Sequence, residues 1–199
     1  HNILLYNAKG VVDVYVAQQD GGTFYLCYTD QAEGDADLGI VTYASLGAGT
    51  EIDVDLSATP TLSLQNLVAC SALNSTTLVY AWFDDTNNNI TYTLMNTAGT
   101  KIVADTSPDP DVGETAQVAV TAFNTTNPDK FRFAMGWYDS LSDNIQITVR
   151  NVTNGTILAP TVVAARQIAP LKNARIAMTT VRNSTTLLEK FVIAWNDRE

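Results

Sequence analysis

The sequence predicts an all-β fold, a β-propeller-like array of about four antiparallel units, each with four strands. One observation is a repeat in which an aromatic residue is followed two positions later by aspartate. The aromatics are spaced 54, 55 and 58 residues apart, at Tyr28, Trp82, Trp137 and Trp195. A second observation is the apolar run of strand length that ends at each aromatic, and a third is the near absence of helical patterns. A β-sandwich is the alternative fold, but it gives no reason for a fixed repeat interval.

The first two strands of each unit are short and apolar. Small apolar residues, which suit strands packed around a crowded axis, predict the first strands at residues 14–17, 67–70, 118–120 and 176–178. The runs that end at the repeated aromatic predict the second strands at residues 24–28, 78–82, 133–137 and 191–195.

The later strands of each unit follow the repeated aspartate. Alternating apolar residues predict third strands at 38–43, 90–95 and 145–149. A Gly-Thr turn comes next at Gly49, Gly99 and Gly155, since glycine adopts the positive φ that tight turns need. Fourth strands are predicted at 51–55 and 101–104. Only residues 162–173 are ambiguous between helix and strand, and Pro170 interrupts them.

We expect a single repeat domain over residues 1–199, with approximate units at 11–56, 64–106, 116–164 and 174–199. Residues 1–10 look like a third strand and its turn, and the last unit ends where the other units continue into that strand. The strand would close the ring within the chain, insert into a neighbouring copy, or belong to a slice of a longer array. We favour closure within the chain. Since the sequence starts with His1, we expect a processed form or a piece of something longer.

Composition excludes several classes of function. The formal net charge of −10 opposes binding to nucleic acid or anionic lipid, because both would be repelled. No apolar stretch reaches the roughly 20 residues of a membrane span, so membrane insertion is not expected. His1 is the only histidine, which removes histidine-rich metal sites and an interior Ser-His-Asp triad. We expect no cofactor, no metal and no enzymatic activity.

Six sequons for N-linked glycosylation are present, which predicts a glycoprotein. Three of them lie at the turn between the first and second strands of a unit, so they share one rim of a propeller, and a fourth lies in a turn on the same side. The candidate acceptors are Asn74, Asn89, Asn124, Asn151, Asn154 and Asn183. Occupied sites would indicate a secreted protein with one face covered by sugar.

The repeated aspartates have two interpretations. Each carboxylate caps its own turn by accepting a backbone N–H, which we favour, or the four form a ring that binds calcium. These aspartates are Asp30, Asp84, Asp139 and Asp197. The acidic loop 33–37 offers oxygen ligands too, but without EF-hand spacing.

Cys27 and Cys70 lie in different units at positions that hold Ala, Gly, Val or Met elsewhere. They are either small buried residues or a disulfide between adjacent units, as a secreted protein permits.

The run from Phe191 to Trp195, Phe-Val-Ile-Ala-Trp followed by x-Asp, resembles the degenerate β-propeller-type units of large secreted and surface glycoproteins. This resemblance implies an extracellular module, generally without activity. The four-unit length is also similar to hemopexin-type domains, although their end-to-end disulfide has no counterpart in Cys27 and Cys70.

We therefore expect a non-enzymatic extracellular structural glycoprotein, a subunit of a surface coat or filament that self-associates through strand edges. The alternative is a carbohydrate-binding or adhesion module that uses aromatics such as Tyr138 or Phe83 as sugar platforms.

Overall fold

The chain is built from β-strands, which confirms the predicted all-β class. The computed structural model describes residues 11–18, 23–30, 35–42, 50–52, 68–84, 87–96, 98–109, 112–113, 117–124, 130–142, 144–153, 156–157, 162–167, 176–182 and 189–195. These ranges contain fifteen strands and no helix.

The strands form four antiparallel sheets in chain order. Sheet 1 contains β1 (Val11–Gln18), β2 (Thr23–Asp30), β3 (Asp35–Thr42) and β4 (Thr50–Ile52). Sheet 2 contains β5 (Val68–Ala72), β6 (Thr77–Asp84), β7 (Asn89–Asn96) and β8 (Thr106–Asp109). Sheet 3 contains β9 (Val118–Asn124), β10 (Lys130–Asp139), β11 (Asn144–Thr153), β12 (Thr156–Ile157) and β13 (Val162–Gln167). Sheet 4 contains β14 (Ile176–Arg182) and β15 (Glu189–Trp195).

The predicted first, second and third strands each overlap an observed strand in the predicted order. Consecutive strands pair within each sheet, apart from β12 and β13 of sheet 3, because most connections are too short for a crossover. The ambiguous segment 162–173 contains strand β13, which pairs with β11 along Asn144–Val149. Strands β12 and β13 thus share the outer edge of β11, one after the other.

The predicted fourth strand at residues 101–104 is wrong. The chain turns at Gly99, whose φ is 78°, and Lys101 forms an isolated bridge with Met95. The N–H groups of Ile102 and Val103 then both donate to the Leu94 carbonyl, at 2.7 and 3.3 Å, so no regular ladder follows the bridge. The Thr93 hydroxyl donates to the Val103 carbonyl at 2.5 Å, so a side chain takes a backbone acceptor that a regular ladder would use. The outer strand of sheet 2 is β8, where Thr106 pairs with Tyr92.

Sheets 2 and 3 are buried on both faces. In β6, Leu78, Tyr80 and Trp82 form a cluster with residues of sheet 1. The alternate residues of β6, Val79, Ala81 and Phe83, form a cluster with residues of sheet 3. This period-two alternation follows from strand geometry, and apolar residues on both faces require a neighbour on each side.

Sheet 4 covers the second face of sheet 3. Ala134 and Tyr138 of β10 are buried, and they pack with Met178, Phe191 and Ile193 of sheet 4. The other face of sheet 4 is exposed, since burial alternates residue by residue along β15. The described sheets therefore pack face to face in the order 1, 2, 3, 4.

The first strands of consecutive sheets contact one another, β1 with β5, β5 with β9, and β9 with β14. Side chains link this row of strands. The Ala122 N–H donates to Ser71 Oγ at 2.9 Å, and Thr180 Oγ1 donates to the Ala122 carbonyl at 2.7 Å. Neighbouring sheets are therefore connected by hydrogen bonds as well as by apolar packing.

Candidate functional site

Asn74 lies in the β5–β6 turn, as the sequence predicts. Its Oδ1 accepts hydrogen bonds from the Thr76 backbone N–H at 2.8 Å and from the Thr76 hydroxyl at 3.1 Å. The Asn74 side chain is half-buried, whereas Ser75 and Thr76 are exposed. All three residues of this sequon therefore lie in a turn that a glycan at Asn74 could leave towards solvent.

The other sequons differ in their surroundings. Asn89 is the first residue of β7, and its Oδ1 accepts a hydrogen bond from the buried Thr91 hydroxyl at 2.7 Å. Asn151 lies within β11 opposite Arg132 of β10, and Asn124 is the last residue of β9. Asn154 and Asn183 fall outside the described residues. Glycan attachment at all six asparagines stays a prediction.

Two of the repeated aspartates cap their own turns, which confirms that interpretation for them. Asp84 accepts from the Asn87 N–H at 3.2 Å and from the Asn87 side chain at 2.8 Å. Asp139 accepts from the backbone N–H groups of Leu141 at 2.9 Å and Ser142 at 3.2 Å, and from the Ser142 hydroxyl. These carboxylates are committed to the turn between the second and third strands of their sheets.

The remaining acidic candidates are placed as follows. Asp30 ends β2, and Asp197 falls outside the described residues. The acidic loop 33–37 runs from undescribed residues into β3, which begins at Asp35. In the described part of the chain, no three His, Cys, Asp or Glu side chains converge on a point that could hold a metal ion.

Cys27 and Cys70 form a disulfide, with Cα atoms 6.2 Å apart. Cys27 lies in β2 and Cys70 in β5, so the bond joins sheet 1 to sheet 2 across their packed faces. Both residues are buried in a cluster with Tyr25, Val68 and Tyr80. Of the two interpretations open at the sequence level, the disulfide between adjacent units is the one present.

The aromatics expected to serve as sugar platforms are buried, so this prediction is wrong. Phe83 is 3% exposed and Tyr138 is 1% exposed. Each follows the repeated tryptophan and lies on the opposite face of its strand, and in both cases the next sheet covers that face. Neither ring can stack on a sugar.

An open groove of about 460 Å³ lies where sheets 3 and 4 meet. Within its lining, the rings of Phe123 and Phe191 stack with centroids 6.0 Å apart and planes at 30°. Exposed Arg132 and Lys190 stand beside them, together with half-buried Asn151. Its lining consists of Phe123, Arg132, Val149, Asn151, Glu189, Lys190 and Phe191.

The groove combines apolar surface with hydrogen-bond donors. Arg132 and Lys190 supply cationic donors, Glu189 supplies a carboxylate, and Asn151 can donate and accept. Such a mixture suits a polar ligand with an apolar side, because the rings bury its carbon skeleton and the rim satisfies its polar groups. This groove could not be predicted from the sequence. Its two rings are 68 positions apart, at Phe123 and Phe191, and belong to different units, so no local motif marks them.

One buried ionisable group lies in the interface between sheets 2 and 3. Burial raises the pKa of Tyr92, and the Arg150 guanidinium, 6.0 Å from the ring centroid, offsets part of that rise. The Tyr92 hydroxyl is buried without a hydrogen-bond partner. Because Tyr92 lies between two packed sheets, we interpret it as a structural group.

The described residues define an all-β protein of antiparallel meanders that pack face to face. Within them there is no helix with the length and hydropathy that a membrane span requires. No family model matches the sequence, and a search of curated proteins finds no match either.

A solved structure shares the fold at low sequence identity. The chain is similar to an arginine-to-alanine mutant of AofleA from Arthrobotrys oligospora, with a TM-score of 0.62 and 13% identity. The match covers 95% of this chain and 52% of AofleA, so this chain spans about half the length of that structure. A structure from a study of two prolyl endopeptidases matches with a TM-score of 0.46 and 17% identity, over 87% of this chain and 23% of that one. The second likeness is too weak to support any inference.

Proposed function

We propose that this chain is a non-enzymatic extracellular structural glycoprotein module, a subunit of a surface coat or filament. The main support is the Cys27–Cys70 disulfide, which links two packed sheets. Disulfides between buried cysteines are typical of proteins that fold in oxidising compartments and are rare in the cytosol. The Asn74 sequon lies four residues beyond Cys70, in an exposed turn of the same sheet.

We further propose that the sheets are blades of a propeller-type array. Three features support this arrangement: four consecutive meanders, packing of each sheet on the next, and contact between their first strands. In such an array, first strands line the axis and the turns between first and second strands lie on one rim. The Asn74 turn and the end of β9 at Asn124 would then share that rim.

Glycan mass tests the glycoprotein part of the proposal. The chain is expressed through a eukaryotic secretory pathway, and its intact mass is compared with the 21.5 kDa of the polypeptide before and after endoglycosidase treatment. We expect several glycans. Asn74→Gln and Thr76→Ala should each remove one glycan, because each destroys the same sequon, whereas Thr76→Ser keeps the sequon and should keep the glycan.

A bare polypeptide mass would refute the glycoprotein role. Retention of the free thiols of Cys27 and Cys70 in the secreted protein would refute the oxidising environment on which the proposal rests.

The groove between sheets 3 and 4 favours a second candidate, a carbohydrate-binding module. Stacked aromatic rings beside arginine, lysine and amide groups match the mixed surface of a sugar, whose C–H faces pack on rings and whose hydroxyls need donors and acceptors. The residues are different from those expected from the sequence, since the rings are Phe123 and Phe191.

Binding to an array of neutral and acidic oligosaccharides separates the two candidates. If the groove binds sugar, Arg132→Ala should reduce binding about tenfold or more, as expected for loss of a charged hydrogen bond. Lys101→Ala is the matched control, because Lys101 is a surface cation paired with Asp105 at 3.0 Å in another sheet. Equal binding by both variants, or no binding by the wild-type protein, would refute the carbohydrate-binding candidate.

Asn151 requires a separate arm in that experiment. It lines the groove and is also a sequon, so a glycan attached there would occupy the groove itself. Asn151→Gln removes the glycan and keeps an amide. Binding that appears only in Asn151→Gln would show that the groove has affinity for sugar and that the protein's own glycan masks it.

A further inference from the structure

One face of sheet 4 is apolar and exposed. Val181 is 51% exposed and Val192 is 48% exposed, and small exposed residues surround them. We call this surface the open face. It consists of Ala177, Thr179 and Val181 of β14 and Lys190, Val192 and Ala194 of β15.

The open face has the same residue types, at the same repeat positions, as the face of sheet 2 that packs against the next sheet along the chain. In the repeat, Val192 and Ala194 occupy the positions of Val79 and Ala81 in β6. Those two residues are fully buried, because sheet 3 packs on them. Ala177, which pairs with Ala194, likewise corresponds to buried Ala69, which pairs with Ala81. The open face is therefore suited to pack against another sheet, as the equivalent face of sheet 2 does within the chain.

We propose that a second copy of this chain covers the open face with its sheet 1, so that the stack continues from one molecule to the next. Sheet 1 provides the matching register. Phe24, Leu26 and Tyr28 of β2 occupy the repeat positions of Leu78, Tyr80 and Trp82 in β6, which pack on the preceding sheet. Such a contact joins two different surfaces of identical chains and is head-to-tail.

Among the described strands, those of the chain's own sheet 1 do not take this place, and residues 1–10, which were expected to close the ring, fall outside the described residues. Contacts run from β1 to β5, from β5 to β9 and from β9 to β14, and no contact of similar extent joins β14 to β1 in the described strands. The AofleA structure, about twice as long as this chain, contains the same fold within a single longer polypeptide. Two copies of this chain together have about the length of that polypeptide.

Charge gives the association a definite salt dependence. Each chain carries a formal net charge of −10, so two copies repel each other, whereas the open face holds one charged residue, Lys190. Added salt screens the repulsion between whole chains and leaves apolar burial intact. Association through this face should therefore strengthen with ionic strength.

This inference rests on the proposed role as a coat or filament subunit and gives its association a definite surface, a sheet face in place of the strand edges expected from the sequence. It is independent of glycan attachment. A chain without glycans can still associate through the open face, and a glycosylated chain can remain monomeric. Glycan mass and particle mass therefore report failure of the two proposals separately.

Light scattering after size exclusion, over a range of protein and salt concentrations, measures particle mass against the mass of the denatured chain. For the unglycosylated wild type we expect at least 43 kDa, twice the 21.5 kDa of one chain. Val192→Asp and Val181→Asp should each reduce the mass at least twofold, to that of one chain. Leu141→Asp is the matched control, because Leu141 is 64% exposed in a turn of sheet 3 and should remain assembled.

Circular dichroism and thermal unfolding check that the variants keep the fold, and two independent open-face variants guard against misfolding of one. A wild-type protein of single-chain mass at every concentration and salt would overturn the proposal. Assembly that survives both open-face variants would also overturn it, and so would equal dissociation of the Leu141→Asp control.

Discussion

At the scale of single residues, Tyr92 shows the cost of a polar group buried between two packed sheets. Its ring is fully buried and packs edge to face on Phe133, with centroids 5.4 Å apart. Its hydroxyl, however, has no hydrogen-bond partner. Burial of an unpaired hydroxyl costs free energy, and ionisation of that hydroxyl would cost more, which explains why burial raises its pKa.

Tyr92→Phe should therefore leave stability at neutral pH unchanged within about 1 kcal/mol, or increase it. The free energies of unfolding of the two proteins should differ more at alkaline pH. The unfolded tyrosine ionises near its ordinary pKa of 10.0, whereas the folded one stays protonated to higher pH. The contribution of protonated Tyr92 to the free energy of unfolding is fully present below pH 10.0. It is lost as the pH rises through the pKa of the folded state.

Urea unfolding of wild type and variant between about pH 8 and about pH 11 measures this difference, since the other tyrosines titrate in both proteins. The gap in unfolding free energy should widen in favour of Tyr92→Phe as the pH rises. Curves of unfolding free energy against pH that run parallel for the two proteins would contradict a raised pKa for Tyr92.

At the scale of elements, the spacing between sheets 3 and 4 depends on a missing side chain. A Cβ at Gly136 would lie 2.8 Å from Ile193 Cδ1 and 3.2 Å from Met178 Sδ. Both neighbours belong to the apolar contact that holds sheet 4 on sheet 3. The glycine therefore allows the two sheets to approach closely.

Gly136→Val should destabilise the protein by about 1–3 kcal/mol, because the added methyl groups overpack this interface. Ala194 occupies the same repeat position in β15 but is exposed, so Ala194→Val should change stability by no more than about 0.5 kcal/mol. Denaturant unfolding at low protein concentration compares the two variants. Equal effects would show that the change reflects strand propensity and not packing.

The sequence predicted the elements better than it predicted the site. Strands β2, β6, β10 and β15 could be found because each is an apolar run that ends at a repeated aromatic. The break at residues 101–104 could not be predicted, since it lies in hydrogen bonds that no local pattern shows: two N–H groups share the Leu94 carbonyl, and the Thr93 hydroxyl bonds to the Val103 carbonyl. The exposure of Phe83 and Tyr138 was mispredicted because it depends on the sheet that packs over them.

At the scale of the whole molecule, the sheets depend on their neighbours. Apolar residues on both faces of β6 and β10 leave sheets 2 and 3 without a solvent face, so neither sheet is stable alone. The ends of such a stack differ from its middle. Sheet 1 is joined to sheet 2 by a covalent bond between Cys27 and Cys70, whereas sheet 4 is held by packing and hydrogen bonds.

The other repeats indicate which residues can replace this disulfide without a cavity. Ala81 and Ala194 occupy the position of Cys27, and Val120 occupies that of Cys70. The double variant Cys27→Ala/Cys70→Val should therefore keep the fold and lose about 2–4 kcal/mol, because the 43-residue separation of the cysteines is no longer closed in the unfolded chain.

Unfolding of the wild type and the double variant, each with and without a thiol reductant, measures the loss. Reductant should lower the stability of the wild type towards that of the variant and leave the variant unchanged. If the disulfide adds nothing to the stability of the interface between sheets 1 and 2, reductant will change the unfolding free energy of neither protein. A wild type that is indifferent to reductant and matches the variant would mean that packing alone fixes sheet 1 on sheet 2, as it fixes sheet 4 on sheet 3.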